Sequence, residues 1–279
     1  MNIYIYIILS IFCVLIVSYV LRKRKTEPFQ NVYEHIYFME HSETSKFLSK
    51  DDDQYVYSLT PIDLYARKAE THKQYLDIIS NLSISFNSEE RQKIFKCVSE
   101  ADAFFKNINF NHITNYKHIN GNDIANIKWI FALTYSKDGK QYEEGLPHTR
   151  ANIIFLSKTV MNYTDDSLTS TLIHEKVHIY QRYNKALFDK IIYNMNYRIL
   201  DLSKINNKEF IRSNPDLDKN IYYDLSTNKE MICFYRNDKP SSISDVIINN
   251  FSLEHPYEKI AYDIANLYYK KDVHKYISI

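Results

Sequence analysis

The sequence predicts an α+β fold preceded by an N-terminal transmembrane helix, and three observations carry that expectation. Residues 3–21, Ile3 through Leu21, form an apolar run without a charge, closed by Arg22-Lys23-Arg24-Lys25. Helical patterning marks three later segments, at about 61–82, 88–107 and 165–183. Between the last two lie a β-branched and aromatic run, Ile127 to Tyr135, and a short apolar run, Ala151 to Leu156, separated by the turn-rich residues 136–147.

About 20 apolar residues at about 1.5 Å each span a hydrocarbon core of about 30 Å, which makes residues 1–25 a membrane anchor with a basic flank. A cleaved signal peptide would need a basic start, a shorter apolar stretch and a small-x-small site, none of which is evident. The four cations follow the span, so the remainder of the chain is expected on the cytoplasmic side. Residues 26–60, with Asp51-Asp52-Asp53, read as a polar juxtamembrane segment.

Pro61 sits where a helix begins, and the helical pattern continues to about Leu82. Ser88, Glu89 and Glu90 open the next helix, which runs to about Asn107. A weaker strand is expected at Ile113 to Ile119. Thr164, Asp165, Asp166 and Ser167 supply N-cap and first-turn residues for the helix at 165–183, where Leu168, Leu172, Ile173, Val177 and Tyr180 fall near helical spacing. Downstream, the sequence predicts a helix from Lys185 to Lys204, a loop about Arg212 to Asp216, a strand at Met231 to Tyr235 and a last helix opened by Pro256.

Composition narrows the possible functions. Without the four juxtamembrane cations, 31 basic residues stand against 34 acidic ones with no basic cluster, so nucleic acid is not an expected partner. Cys13 lies in the apolar run, and Cys97 and Cys233 have no ligand spacing. The chain has no Gly-x-Ser-x-Gly, and none of its cysteines has an obvious partner histidine, which disfavours a nucleophilic hydrolase.

The chemistry concentrates in His174-Glu175-Lys176-Val177-His178. With about 3.6 residues per turn, the two imidazoles project from one helix face and can share a metal ion. In a chain with 10 histidines, His-Glu-x-x-His is expected by chance roughly 0.02 times. The surrounding Thr171-Leu172-Ile173-His174-Glu175-Lys176-Val177-His178-Ile179-Tyr180 resembles the active-site helix of zincin metallopeptidases. Lys176 departs from that family's uncharged preference, but lies about 200° around the helix from His174 and is expected to carry its ammonium out to water.

The resemblance implies Zn²⁺ held by His174 and His178, with Glu175 as general base. It also implies a zincin-like fold. Residues 61–183 would form an N-terminal lobe with a small mixed sheet and the active-site helix, and 184–279 a mainly helical C-terminal lobe supplying the third ligand. Glu254 through Asp263 resembles the glutamate-bearing helix of gluzincins, which makes Glu258 the expected third metal ligand. Glu254 and His255 are the alternatives, and small Ala261 would admit close helix approach. By the same resemblance, Ala151 to Leu156 would edge the cleft and pair with extended substrate.

Other roles stay open at the level of sequence. His148 is a candidate for substrate contact or metal, and Asp263 for orienting a ligand histidine. Arg212, Tyr222, Tyr223, His255 and Tyr262 are candidates to stabilise an oxyanion. The expectation is a membrane-anchored zinc peptidase acting on peptide or protein substrates. Its rivals are a noncatalytic zinc-binding scaffold and a structural membrane protein. The sequence carries no signal for oligomeric state.

Overall fold

The computed structural model describes residues 35–214, 218–247 and 254–270, apart from the side chains of residues 204 and 270. The chain divides into residues 1–37 and 38–279. Strand β1 (Ile36–Phe38) lies across that boundary, and the elements below belong to the second unit.

Helices α1 (His41–Lys50), α2 (Pro61–Ala66) and α3 (His72–Ser80) come first. The helix expected to run unbroken from Pro61 to Leu82 is therefore two. Lys68 takes a left-handed conformation, and Thr71 restarts the chain by accepting a hydrogen bond from the Gln74 N–H. Strand β2 (Ser83–Ile84) leads into α4 (Ser88–Asn107), where Asn87 and Glu90 form a reciprocal capping box. Residues 113–119 form turns, not the expected strand, and run into the short helix α5 (Gly121–Asn126).

Strands β3 (Trp129–Thr134), β4 (His148–Arg150) and β5 (Ile153–Ser157) form the sheet beneath the site. β3 pairs in parallel with β5 and antiparallel with β2, and β4 pairs antiparallel with β5. The apolar run that was expected to edge the cleft is thus interior, paired on both sides, and β4 is the edge. Ala151 adopts a left-handed conformation in the tight connection between β4 and β5. One face of the sheet buries Ala132 and Phe155 with Leu48, Val56, Tyr75 and Ile79 from the N-terminal helices. Fully burying side chains of this size is worth about 1.5–3 kcal/mol each.

Helix α6 (Asp165–Tyr183) follows, capped by Thr164, whose side chain accepts from the Ser167 N–H. It packs against α4 and α8 (Pro256–Lys270) and is buried from Leu172 through Gln181. Helix α7 (Lys185–Asn194) is shorter than the expected 185–204. Asn196 turns the chain through a left-handed conformation into β6 (Tyr197–Ile199). β6 pairs with β7 (Tyr222–Asp224), which pairs with β8 (Lys229–Met231), while β9 (Phe234–Tyr235) pairs with β10 (Val246–Ile247). The strand expected at 231–235 is split between β8 and β9, and the described residues of the C-terminal region are not mainly helical. Its aromatic and β-branched segments satisfy their backbone groups in hairpins.

The fold is α+β, but the transmembrane part of the expected fold class is corrected. Among the described residues no helix is long and apolar enough to cross a membrane. The apolar run at 3–21 lies outside the described residues. From residue 38 onward, the stretch read as a juxtamembrane segment belongs to the folded unit. Asp51 is buried there, binding Arg150 at 2.7 Å and accepting from the Val56 N–H.

A second buried ion pair ties α2 to the loop before β4. Arg67 binds Glu143 through two parallel hydrogen bonds of 2.9 and 2.6 Å, and Tyr75 donates to the same carboxylate at 2.8 Å. Burial alone would raise the Glu143 carboxyl, but the charge of Arg67 outweighs it and holds the group at about 2. A depressed carboxyl stabilises the fold fully above its ordinary value of 4.5, and the contribution is lost as pH falls toward about 2. Arg67→Leu should therefore cost about 3–5 kcal/mol in urea unfolding at neutral pH, because it strands a buried charge. The gap to the unaltered protein should narrow as the pH is lowered toward 3; a gap independent of pH would show that the pair does not carry it.

Candidate metal centre

The site is built where α6 crosses α8. The helical repeat sets His174 and His178 one turn apart, with their Nε2 atoms 2.9 Å from each other. Pro256 starts α8, and Glu258, in its first turn, points back at the pair. Its Oε2 lies 3.3 Å from His174 Nε2, and its Oε1 lies 3.4 Å from His178 Nε2. Ala261 is fully buried, as a close crossing of the two helices requires. Among the described residues these three form the one cluster of ligating side chains with donor atoms all within 4.8 Å of one another.

The donor types are those of zinc sites. Donors at about 2.0–2.1 Å from a tetrahedral ion stand about 3.3–3.4 Å apart, close to the two carboxylate distances here, and the two Nε2 atoms, 2.9 Å apart, would have to separate slightly to share an ion. The tautomer of His178 points the same way. Gln181 Nε2 donates to the Tyr257 carbonyl at 3.0 Å, which turns Gln181 Oε1 toward His178 Nδ1 at 2.8 Å. A neutral His178 then carries its proton on Nδ1 and presents the Nε2 lone pair to the Glu258 carboxylate. A lone pair facing a buried carboxylate calls for a proton or a cation between them. Burial alone would raise the Glu258 carboxyl, and only positive charge facing it across the two ring nitrogens, from a proton or from a metal cation, holds it well below the usual carboxylate range.

The remaining sequence candidates separate cleanly. Glu254 is taken by Arg212 at 3.2 and 2.7 Å and by Asn214 at 3.2 Å, away from the ligand cluster. Asp263 does not orient a histidine. It accepts from the Tyr116 hydroxyl at 2.5 Å and pairs with Lys259 at 2.9 Å. His148 stacks on Phe155 with ring centres 5.2 Å apart, and its Nδ1 meets the Leu146 carbonyl, so it stands outside the cluster. Lys176 points away from the site as expected but does not reach water. It is fully buried, donates to the Ile127 carbonyl and lies 3.7 Å over the Trp129 ring. Burial pushes its ammonium down to about 7.

His174, Glu175, His178 and Glu258 line a cavity of about 480 Å³. Of the five oxyanion candidates, Arg212 and Tyr262 also line it. Tyr222 instead donates to Asp218, Tyr223 to Asn228, and His255 binds Asp218. The Tyr262 ring sits 4.4 Å from that of His174, and burial together with Glu258, Glu175 and Glu254 raises its hydroxyl. The edge strand is not open for pairing along its whole length. Arg182 donates to the carbonyls of Thr149 and Ala151 at 2.9 Å each, occupying outward acceptors that an added strand would need.

Sequence reasoning missed Gln181, Arg182 and the Arg67–Glu143 pair. Gln181, three residues past His178, could have been found from helical spacing alone. Arg67 and Glu143 are 76 residues apart, and no local pattern links them.

Compared with known protein families, with curated proteins and with solved structures, the chain matches none.

The two glutamates give a direct test of the ligand assignment. If Glu258 is the third ligand, zinc titrated into purified Glu258→Gln, in competition with a chromophoric chelator, should bind at least about 100-fold more weakly than to the unaltered protein. Glu254→Gln should stay within a few-fold of the unaltered protein. Reversed rankings would move the third ligand to Glu254.

Proposed function

We propose that this protein is a zinc-dependent peptidase of the zincin type. The observation that carries the reading is the convergence of His174, His178 and Glu258 on one point, beside buried Glu175 in an open cavity. His174, His178 and Glu258 would hold Zn²⁺ through two Nε2 atoms and one carboxylate. Zinc held there supplies Lewis acidity, acidifying water and polarising a carbonyl oxygen.

The chain's own residues account for the other parts of hydrolysis. Glu175 follows the first histidine on α6 and faces the same cavity. Its carboxylate takes a proton from the attacking water and delivers it to the departing amine nitrogen. Two neutral imidazoles and one carboxylate leave a dication site with a net charge of +1, which favours developing negative charge on the scissile carbonyl. The ion pairs Arg67–Glu143 and Arg212–Glu254 sit on the cavity wall as internally neutralised groups, so they give it shape without adding net charge.

Substrate is a peptide or protein segment. Because Arg182 closes the acceptors of Thr149 and Ala151, an extended chain is held at the Leu146 and Pro147 end of the strand rather than along β4 as a whole. This replaces the pairing to 151–156 expected from the sequence.

Glu175→Gln separates metal binding from proton transfer. The variant should retain stoichiometric zinc and lose about 10²–10⁴-fold in turnover of a quenched peptide library. Undiminished turnover would remove Glu175 from the mechanism. A zinc-loaded protein that cleaves no member of the library would favour a binding scaffold instead.

A further inference from the structure

From His178 a line of buried and half-buried polar groups continues past Gln181 as far as Asp218. His178 Nδ1 meets Gln181 Oε1 at 2.8 Å, and Gln181 Nε2 donates to the Tyr257 carbonyl at 3.0 Å. The Tyr257 N–H donates to His255 Nδ1 at 3.1 Å. That contact leaves the proton of a neutral His255 on Nε2, which donates to Asp218 Oδ1 at 3.0 Å. Asp218 also accepts from the Tyr222 hydroxyl at 2.8 Å and the Asn220 N–H at 3.0 Å. Every donor on this path meets an acceptor, and each link fixes the orientation of the next.

The placement of the path gives it a consequence. His255 immediately precedes α8, and its ring accepts one of the N–H groups that a helix start leaves without an internal partner. Gln181 holds the carbonyl of the same residue, Tyr257. The residue directly before Glu258 is thus clamped at both its N–H and its C=O. The clamp is anchored to α6 at one end and to Asp218 at the other. The His255 ring is further held between Tyr222 and Tyr257, with ring centres 4.9 and 5.0 Å away.

We infer that Asp218, His255 and Gln181 are positioning residues for the metal centre. Through Tyr257 they orient His178 and set the first turn of α8, so that Glu258 meets the histidine pair. The inference rests on the metal-site reading above. Groups that orient metal ligands from behind typically change metal affinity by about 10–100-fold when removed.

The test is zinc affinity of the full chain, measured with Zn²⁺ alone against a chromophoric chelator, beside thermal unfolding of the metal-free proteins. Asp218→Asn and Gln181→Leu should each weaken zinc by about 10–100-fold. Gln181→Glu keeps an acceptor for His178 and should bind more tightly than Gln181→Leu. The double variant Asp218→Asn/Gln181→Leu should lose much less than the product of the two single losses, because both interrupt one path. Should Asp218→Asn fail to fold, the ranking of the two Gln181 variants decides. Unchanged affinity in the single variants, with only a lowered unfolding temperature, would reduce these residues to packing and overturn the inference. Absence of zinc binding by the unaltered protein would overturn the metal-site reading itself, and the inference with it.

Discussion

A buried carboxylate that faces two imidazole nitrogens needs a proton or a cation between them, and the region around the α6–α8 crossing is organised around that constraint. Glu258 is set against the Nε2 atoms of His174 and His178, where its carboxyl stays ionised against the effect of burial only with a positive charge between the three groups. The crossing itself is made by apolar packing. Leu172, Ile173 and Val177 on α6 and Ile260, Ala261 and Ile264 on α8 are all fully buried. Hydrophobic burial thus provides the free energy that places three polar groups where they would not otherwise gather.

The same logic recurs at the cavity wall and in the core beside it. Charges taken out of water are matched by partners: Arg67 with Glu143, Arg150 with Asp51 and Asp53, Arg212 with Glu254. Removing one member of such a pair is costlier than the pair's net contribution to stability, so these contacts fix geometry more than they add stability. Arg67 with Glu143 ties α2 to the loop before β4, and Arg212 with Glu254 ties the segment about Arg212 to the start of α8. Arg182, at the end of α6, binds the carbonyls of Thr149 in β4 and Ala151 in the turn after it, which fastens the histidine-bearing helix to the sheet edge.

What could be read from the sequence divides by range. The helices at 88–107 and 165–183 and the start of α8 at Pro256 were legible because caps and spacing are local signals. The histidine pair was legible for the same reason. That Glu258 would meet the histidine pair was legible only through resemblance, and Glu254 stayed open because nothing local tells which of two glutamates turns to the histidines and which to an arginine. The partner that engages Glu254, Arg212, is 42 residues away. The break at Lys68 and the turn at Asn196 were missed because non-glycine residues adopt left-handed backbone there, which apolar periodicity does not register. The expectation for Lys176 went wrong in another way. A lysine with an exposed-looking helical position found an aromatic face and a carbonyl in the interior.

The most direct measurement is the metal content of the full chain purified without chelator, together with X-ray absorption at the zinc edge. The account predicts one zinc per chain with a shell of nitrogen and oxygen donors only, two of them imidazole, and loss of that shell in His178→Ala. A metal-free protein, or a shell containing sulfur, would contradict it.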